Sequence, residues 1–141
     1  MIRTPAEILA SARTIAVVGA SPKPHRPSHG VMRYLLEKGY RCIPVRPVGC
    51  DEVLGVPCVR SLAEIEEQID LVDVFRRPDA CPDVARDAVA AGAKAVWLQL
   101  GLVSLEARQI AESAGLEYVE NQCTKIVHAA EIGASRRQSV R

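Results

Sequence analysis

The chain has 141 residues, of which 48% are hydrophobic, and its formal net charge is +1. This length suits one domain with a core of its own. Charges of both signs are scattered along the chain, which argues against a nucleic-acid surface with its basic stripe. The apolar runs are too short to span a bilayer, and the N-terminus lacks the features of a secretory signal. We therefore expect a soluble, cytoplasmic, single-domain protein.

The cysteines bear on the redox environment and on metal binding. There are five of them, with no C-x-x-C pair: Cys42, Cys50, Cys58, Cys81 and Cys123. The odd number and the spacing favour free thiols in a reducing compartment over a disulfide framework. Structural zinc sites usually need close cysteine pairs, so we expect no metal. Cys42 and Cys81 have apolar neighbours and are predicted to be small core residues.

The chain begins with a helix signal and continues with strand signals. Thr4 and Glu7 form a capping box around Pro5, which predicts a helix within residues 1–13 that packs on the domain. Five apolar segments then predict strands that are buried on both faces. These segments are Ile15 to Val18, Cys42 to Val45, Leu71 to Phe75, Ala95 to Leu98, and Leu116 to Val119.

Helix signals lie between the strands. The predicted helices begin and end at Ser28 and Gly39, Ser61 and Ile69, Asp79 and Gly92, and Ser104 and Gly115. Alternating strands and helices predict an α/β, three-layer, Rossmann-like fold with a parallel sheet of about five strands, in one domain of residues 14–130. Residues 131–141, which include "SRRQSVR", are expected to form a flexible basic tail.

The loop after the first strand has the features of a phosphate site. Ligands of open parallel sheets bind beyond the carboxyl ends of the strands. Gly19 permits a tight turn there, and the start of the following helix favours an anion. Ser21 and Ser28 add hydroxyl groups, and Lys23 and Arg26 add positive charge. We expect phosphate binding, with a plain solvated loop as the alternative.

The residue after the second strand bears on the type of nucleotide. NAD-binding domains usually place an acidic residue there to bind the ribose hydroxyl groups. This chain has Arg46 instead. A cation suits a phosphorylated ribose, as in NADP or coenzyme A, and the missing acid disfavours NAD. The alternative is a solvated arginine with no ligand.

Several motifs in order along the chain resemble the small, free-standing CoA-binding domain family. They are "VVGAS", "LVDVFRRP", "GAKAVWLQLG" and "GLEYVENQCTKI", and the resemblance runs from about Thr14 to Ile126. The same fold resembles, more distantly, the CoA-binding domain of succinyl-CoA synthetase. The resemblance implies a Rossmann-type fold that binds coenzyme A, often with no established reaction.

The resemblance also implies a set of ligand-binding positions. The matching residues are Gly19, Ala20, Ser21, Arg26, Ser28, Arg76, Gln99, Gly101, Cys123 and Lys125. The chain departs from the family's pattern at Asn121 and Gln122, which replace the usual Asp-Arg. It also departs at Arg46, where the family commonly has a small polar residue.

We predict from this that the protein binds coenzyme A or an acyl-CoA, a small-molecule nucleotide ligand, without catalysis. One alternative is an enzyme that processes acyl-CoA with Cys123 as its nucleophile, helped by the positive charge of Lys125 or His128. Another is a subunit of an NADP-dependent oxidoreductase. Whether two chains associate, or a partner protein binds, stays open. Trp97 is predicted to be a core residue.

Overall fold

A computed structural model describes residues 2–133 of the chain. The helices are α1 (Pro5–Ser11), α2 (Pro27–Glu37), α3 (Cys81–Ala90), α4 (Leu105–Ser113) and α5 (Thr124–Val127). The strands are β1 (Thr14–Val18), β2 (Arg41–Val45), β3 (Glu52–Val53), β4 (Val56–Pro57), β5 (Leu71–Val74), β6 (Ala95–Leu98) and β7 (Glu117–Val119). Among the described residues, no helix is long and apolar enough to cross a membrane.

The main sheet contains five parallel strands in the order β2-β1-β5-β6-β7. Numbered along the chain, this is the order 2-1-3-4-5 of a doubly wound sheet. The prediction of a Rossmann-like α/β fold with five parallel strands is therefore confirmed. The strand order reverses between β1 and β5, which is where such sheets open a crevice beyond the carboxyl ends of their strands.

Each face of the sheet is covered by its own hydrophobic cluster. Ile15 and Val17 of β1 belong to one cluster, with residues of α1, α2 and α5. Ala16 and Val18 belong to the other cluster, with residues of α3 and α4. Because successive side chains of a strand point to opposite faces, a strand covered on both sides needs apolar residues throughout. This explains the continuous apolar runs in the sequence.

Two helix starts that the sequence predicts are present. The hydroxyl of Thr4 accepts a hydrogen bond from the Glu7 amide at 3.1 Å, and the Glu7 carboxylate accepts one from the Thr4 amide at 2.8 Å. The hydroxyl of Ser104 accepts from the Ala107 amide at 3.1 Å and caps α4. Each cap satisfies amide groups that have no partner inside the helix.

Two other helix starts differ from the prediction. Ser61 begins only a 3-10 turn, Leu62–Glu64, in which the Glu64 amide donates to the Ser61 carbonyl at 3.2 Å. The Glu64 carboxylate accepts from the Arg60 amide at 2.9 Å, so no capping box forms. Asp79 lies within a separate 3-10 turn, Pro78–Ala80, and α3 begins after it.

The two ends of the described chain pack against the domain. Helix α1 buries Ile8 and Leu9 in the cluster that it shares with α2 and α5. After α5, a π-helical turn occupies His128–Gly133, and Ile132 packs against the same cluster. The expected tail therefore has its first residues, 131–133, in this turn, and the rest of it lies outside the described residues.

The structure adds a small hairpin that the sequence analysis missed. Strands β3 and β4 pair in antiparallel fashion and bring the Cα atoms of Cys50 and Cys58 to 6.1 Å, and the two residues form a disulfide. The prediction of free thiols is wrong for this pair, because the hairpin makes two cysteines eight residues apart into neighbours. Cys42 and Cys81 are buried free thiols, as predicted.

Gly19 is the point of closest backbone contact in the turn after β1. Its φ is +86°, and a Cβ atom added there would lie 2.1 Å from the carbonyl oxygen of Phe75. The Gly19 amide donates to the carbonyl of Val45 at 3.1 Å, and the Phe75 amide donates to the carbonyl of Val18 at 2.8 Å. The turn is thus held between β2 and the end of β5, with no room for a side chain.

We expect Gly19→Ala to lower the free energy of unfolding by about 2–5 kcal/mol, since it combines left-handed strain of about 1–2 kcal/mol with an overpacked contact of about 1–3 kcal/mol. Gly92→Ala is the matched control, because Gly92 has a φ of +73° and open space around its Cα. It should show only the backbone strain. Urea unfolding of both variants measures the difference, and equal losses would contradict the close contact at Gly19.

Candidate functional site

A cleft of about 590 Å³ opens at the reversal of strand order. Its walls come from the loops after β1, β2, β5 and β6, from the start of α2 and from the residues around the start of α5. Nine of the predicted site residues line it: Gly19, Ser21, Lys23, Arg26, Ser28, Arg46, Arg76, Gln99 and Cys123. The strand ends that the sequence predicts to be adjacent do therefore meet in one cavity.

Two buried serines hold the loop after β1 against the start of α2. The Ser28 hydroxyl accepts a hydrogen bond from the Ser21 amide at 3.1 Å, and the Ser21 hydroxyl accepts one from the Lys23 amide at 3.1 Å. Ser28 was predicted as the cap of α2, but the helix begins two residues earlier than this cap implies, at Pro27 with Arg26 at the N-cap. The Ser28 hydroxyl instead shapes the loop that lines the cleft.

Four cations face the cleft without acidic partners. Within residues 2–133, no carboxylate forms an ion pair with Lys23, Arg26, Arg46 or Arg76, and no acidic side chain lines the cleft. Arg46 is held in place by neutral groups: its Nε donates to the carbonyl of Val48 at 3.0 Å and its Nη1 to that of Ala20 at 3.3 Å. Such an arrangement attracts an anion, and its guanidinium groups match phosphate geometry.

The cleft also has an apolar lining. Its lining includes side chains that the sequence analysis did not select: Val31, Phe75, Leu100, Leu102 and Ile126. Leu100 and Ile126 are 65% and 59% exposed, which leaves large apolar surface open at the rim. The free thiol of Cys123 lies among these residues, partly exposed. Leu100 and Leu102 lie in a loop, whereas Val31 and Ile126 lie on α2 and α5, so no single local pattern marks the group.

Three predicted residues do not line the cleft. Ala20, within the loop after β1, is buried in the cluster shared with α1, α2 and α5. The amide of Gly101 donates to the side-chain oxygen of Asn121 at 2.8 Å and so ties two loops together. The ammonium group of Lys125 lies 5.8 Å from the centre of the Tyr34 ring, against α2.

The residues that depart from the family pattern anchor the last loop. Asn121 has a φ of +57°, a left-handed conformation that asparagine adopts more readily than most residues. Its backbone amide also donates to the carbonyl of Leu102 at 3.1 Å. Trp97 is fully buried, as predicted, and its indole N–H donates to the carbonyl of Gln122 at 2.8 Å. These contacts hold the loop that leads to Cys123.

A buried carboxylate lies under the cleft in the middle of β5. Asp73 is fully buried, and its two oxygens accept hydrogen bonds from Gln99 Nε2 at 2.5 Å and from the Thr124 hydroxyl at 2.9 Å. Gln99 Nε2 also donates to Thr124 Oγ1 at 3.0 Å. Burial raises the pKa of Asp73 to about 7, although both hydrogen bonds act to lower it.

Gln99 is one of the site residues predicted from the sequence, whereas Asp73 and Thr124 are not. The signal for Asp73 was an acidic residue inside an otherwise apolar strand, since such residues are almost never fully buried unless they are paired. Thr124 has no comparable signal, because its contact with Asp73 spans 51 residues of sequence. Within residues 2–133, no cluster of three or more histidine, cysteine, aspartate or glutamate residues could hold a metal ion.

Comparison of the chain with known protein families identifies its family. Residues 13–129 match the family model described as a CoA binding domain. The chain belongs to the CoA-binding domain family. The resemblance that the strand-end motifs indicated is therefore confirmed over most of the chain.

Relatives of this CoA-binding domain include proteins of similar length. The protein YneT of Bacillus subtilis (strain 168) is 44% identical over 123 residues, which cover 87% of this chain and 90% of the relative. A solved structure from Pyrococcus horikoshii OT3 is 40% identical, with a TM-score of 0.85, and the match covers 91% of this chain and 92% of that one.

The family also occurs as one part of larger enzymes. The ADP-forming acetate–CoA ligase of Methanocaldococcus jannaschii is 23% identical over 124 residues. The match covers 82% of this chain but 18% of the ligase. The chain therefore corresponds to a single domain of that enzyme, the CoA-binding one.

Asp73 gives a pH-dependent prediction for stability. Because the pKa of Asp73 is raised from 3.8 to about 7 on folding, the folded protein binds a proton that the unfolded chain has released between these values. The Asp73 contribution to stability is thus fully present below pH 4 and is lost as the pH rises towards 7. Asp73→Asn carries no such charge.

We expect Asp73→Asn to gain stability relative to the wild type as the pH rises from 4 to 8. Urea unfolding at several pH values measures the difference between the two proteins, in which the titration of all other groups cancels. A difference that does not change with pH would contradict a raised pKa for Asp73.

Proposed function

We propose that this protein binds coenzyme A or an acyl-CoA in the cleft and carries out no reaction on it. The observation that supports this is the polarity of the cleft along the sheet. The four cations without acidic partners follow β1, β2 and β5, whereas Gln99 and the apolar wall, Leu100 and Leu102, follow β6. Coenzyme A has the same polarity, with phosphate groups at one end and a long, weakly polar pantetheine arm at the other.

In the proposed pose, the diphosphate lies beside the loop after β1 and the start of α2. Backbone amides at a helix start, the serine hydroxyls and the charges of Lys23 and Arg26 all favour an anion at this place. Arg46 follows β2, where nucleotide-binding domains contact the ribose, so we assign it to the ribose phosphate. The pantetheine arm then extends past Gln99 towards the apolar wall.

The proposal contains no covalent step. Within the described residues, no base is hydrogen-bonded to the Cys123 thiol, and a nucleophilic cysteine needs such a base or a comparable activating group. NADP shares a phosphorylated ribose with coenzyme A but has no flexible arm that would contact the apolar wall. It is therefore the ligand against which coenzyme A should be compared.

Calorimetric titration with coenzyme A, 3′-dephospho-coenzyme A and NADP tests the proposal. We expect coenzyme A to bind roughly ten- to a hundred-fold more tightly than its dephospho form, because a charge-assisted hydrogen bond contributes about 1.5–3 kcal/mol. NADP should bind more weakly than coenzyme A. Clear binding of NADP without binding of coenzyme A would overturn the proposal and favour a reductase subunit.

Arg46→Gln tests the contact to the ribose phosphate, since glutamine keeps an amide donor for the neighbouring carbonyl groups but has no charge. The variant should bind coenzyme A about as weakly as the wild type binds the dephospho form, and its affinity for the dephospho form should not change. Arg33→Gln is the control, because Arg33 is exposed on α2 away from the cleft. Equal weakening of both ligands by Arg46→Gln would place Arg46 elsewhere than at this phosphate.

A further inference from the structure

The orientation of the Gln99 side-chain amide is determined by its buried neighbours. The two hydrogens of Nε2 are directed to Asp73 Oδ1 at 2.5 Å and to Thr124 Oγ1 at 3.0 Å. Thr124 uses its own proton for Asp73 Oδ2 at 2.9 Å. Each donor in this triad therefore has an acceptor, and the carboxylate of Asp73, when ionised, serves only as an acceptor.

The opposite orientation of the amide is unfavourable. It would turn the carbonyl oxygen of Gln99 towards the Asp73 carboxylate and leave two acceptors in contact at a buried site. Asp73 and Thr124 are fully buried and Gln99 is 6% exposed, so no bulk water is available to separate these oxygens. At pH 8, where Asp73 is ionised, its charge thus holds Nε2 towards the protein interior, and the measurements below are made at this pH.

The carbonyl oxygen of Gln99 is then the group that remains for the cleft. Gln99 lines the cleft, and within residues 2–133 its Oε1 accepts no hydrogen bond and is not sealed from solvent. It lies between the cationic part of the cleft, beyond β1 and β5, and the apolar wall that begins with Leu100. A hydrogen bond beside an apolar wall is exposed to less competition from water than one at an open surface.

We propose that Asp73, by fixing the Gln99 amide, makes the cleft wall beyond β6 a hydrogen-bond acceptor that selects a ligand with an N–H donor at this position. The inference rests on the proposed function: in coenzyme A, a secondary amide of the pantetheine arm supplies the donor. Gln99 contacts the ligand, whereas Asp73 acts through Gln99 and is a positioning residue.

Two analogues of coenzyme A test the contact, each with one pantetheine amide replaced by an ester that has no N–H. Wild-type protein should bind one of them roughly three- to ten-fold more weakly than coenzyme A, the loss expected for one neutral hydrogen bond. Gln99→Met, which has similar length and no amide, should bind that analogue and coenzyme A equally well. Equal binding of both analogues and coenzyme A by the wild type would overturn the inference.

Asp73→Asn tests the positioning role, because asparagine can accept from or donate to either orientation of the Gln99 amide. We expect the discrimination between coenzyme A and the weaker analogue to fall below about two-fold. The control is Asp70→Asn, since Asp70 binds the backbone amides of Arg13 and Thr14 at the other end of β5. It should keep the full discrimination. A purely structural role of Asp73 would weaken both ligands alike and leave the ratio unchanged, which would also overturn the inference.

The NMR signals of the Gln99 side-chain NH₂ group provide a readout that needs no ligand. In the wild type, both protons should exchange slowly with water, and Asp73→Asn should shift the signals and speed the exchange. Signals that do not respond to Asp73→Asn would contradict the fixed orientation. If coenzyme A fails to bind while these signals respond, the proposed function fails but the oriented acceptor remains. If coenzyme A binds without discrimination, the acceptor contact fails but the proposed function remains.

Discussion

The divergence of the chain after β1 and β5 is the constraint on which the cleft depends. These strands are hydrogen-bonded neighbours, but α2, which follows β1, and α3, which follows β5, cover opposite faces of the sheet. A crevice must open between the two departing segments. Its floor is the contact of Gly19 with the Phe75 carbonyl, which no residue with a Cβ could make. The loop after β1 can therefore pack closely against the end of β5, and its serines and cations face the crevice.

The Asp73 carboxylate connects this floor to the rest of the site. A charge in the middle of a sheet loses its hydration, and the two hydrogen bonds that it accepts only partly compensate, as its raised pKa indicates. In return, three segments distant in sequence, β5, β6 and the start of α5, share one polar triad. Apolar residues at these positions would pack the core without directing any group towards the cleft. The triad therefore fixes the geometry of the site but does not maximise the stability of the fold.

The sequence predicts those features that depend on local contacts or on topology alone. All five strands of the main sheet are recognisable in the sequence as apolar runs, because each is buried on both faces. Thr4 and Ser104 cap their helices, because the backbone amide that each hydroxyl binds lies three residues away. Ser61 forms no capping box, because the Glu64 carboxylate accepts a hydrogen bond from the Arg60 amide instead. The residues that follow the predicted strands identify most of the cleft, because parallel strands bring their carboxyl ends to one edge of the sheet. The apolar wall, the disulfide and the Asp73 triad depend on loop conformation and on contacts across long stretches of sequence, which no periodicity records.

The distribution of charge shows what kind of ligand can use the whole cleft. The chain is nearly neutral overall, and several arginines elsewhere in residues 2–133 form ion pairs, as Arg86 does with Asp83 and Glu106. The cations of the cleft repel one another while the cleft is empty, so an anion gains both its own contacts and relief of this repulsion. Along the sheet, the cations after β1, β2 and β5 are followed by Gln99 and the apolar wall, which both follow β6. Inorganic phosphate or a simple nucleotide would match only the first of these. A ligand that carries anionic, N–H-donating and apolar parts matches all three.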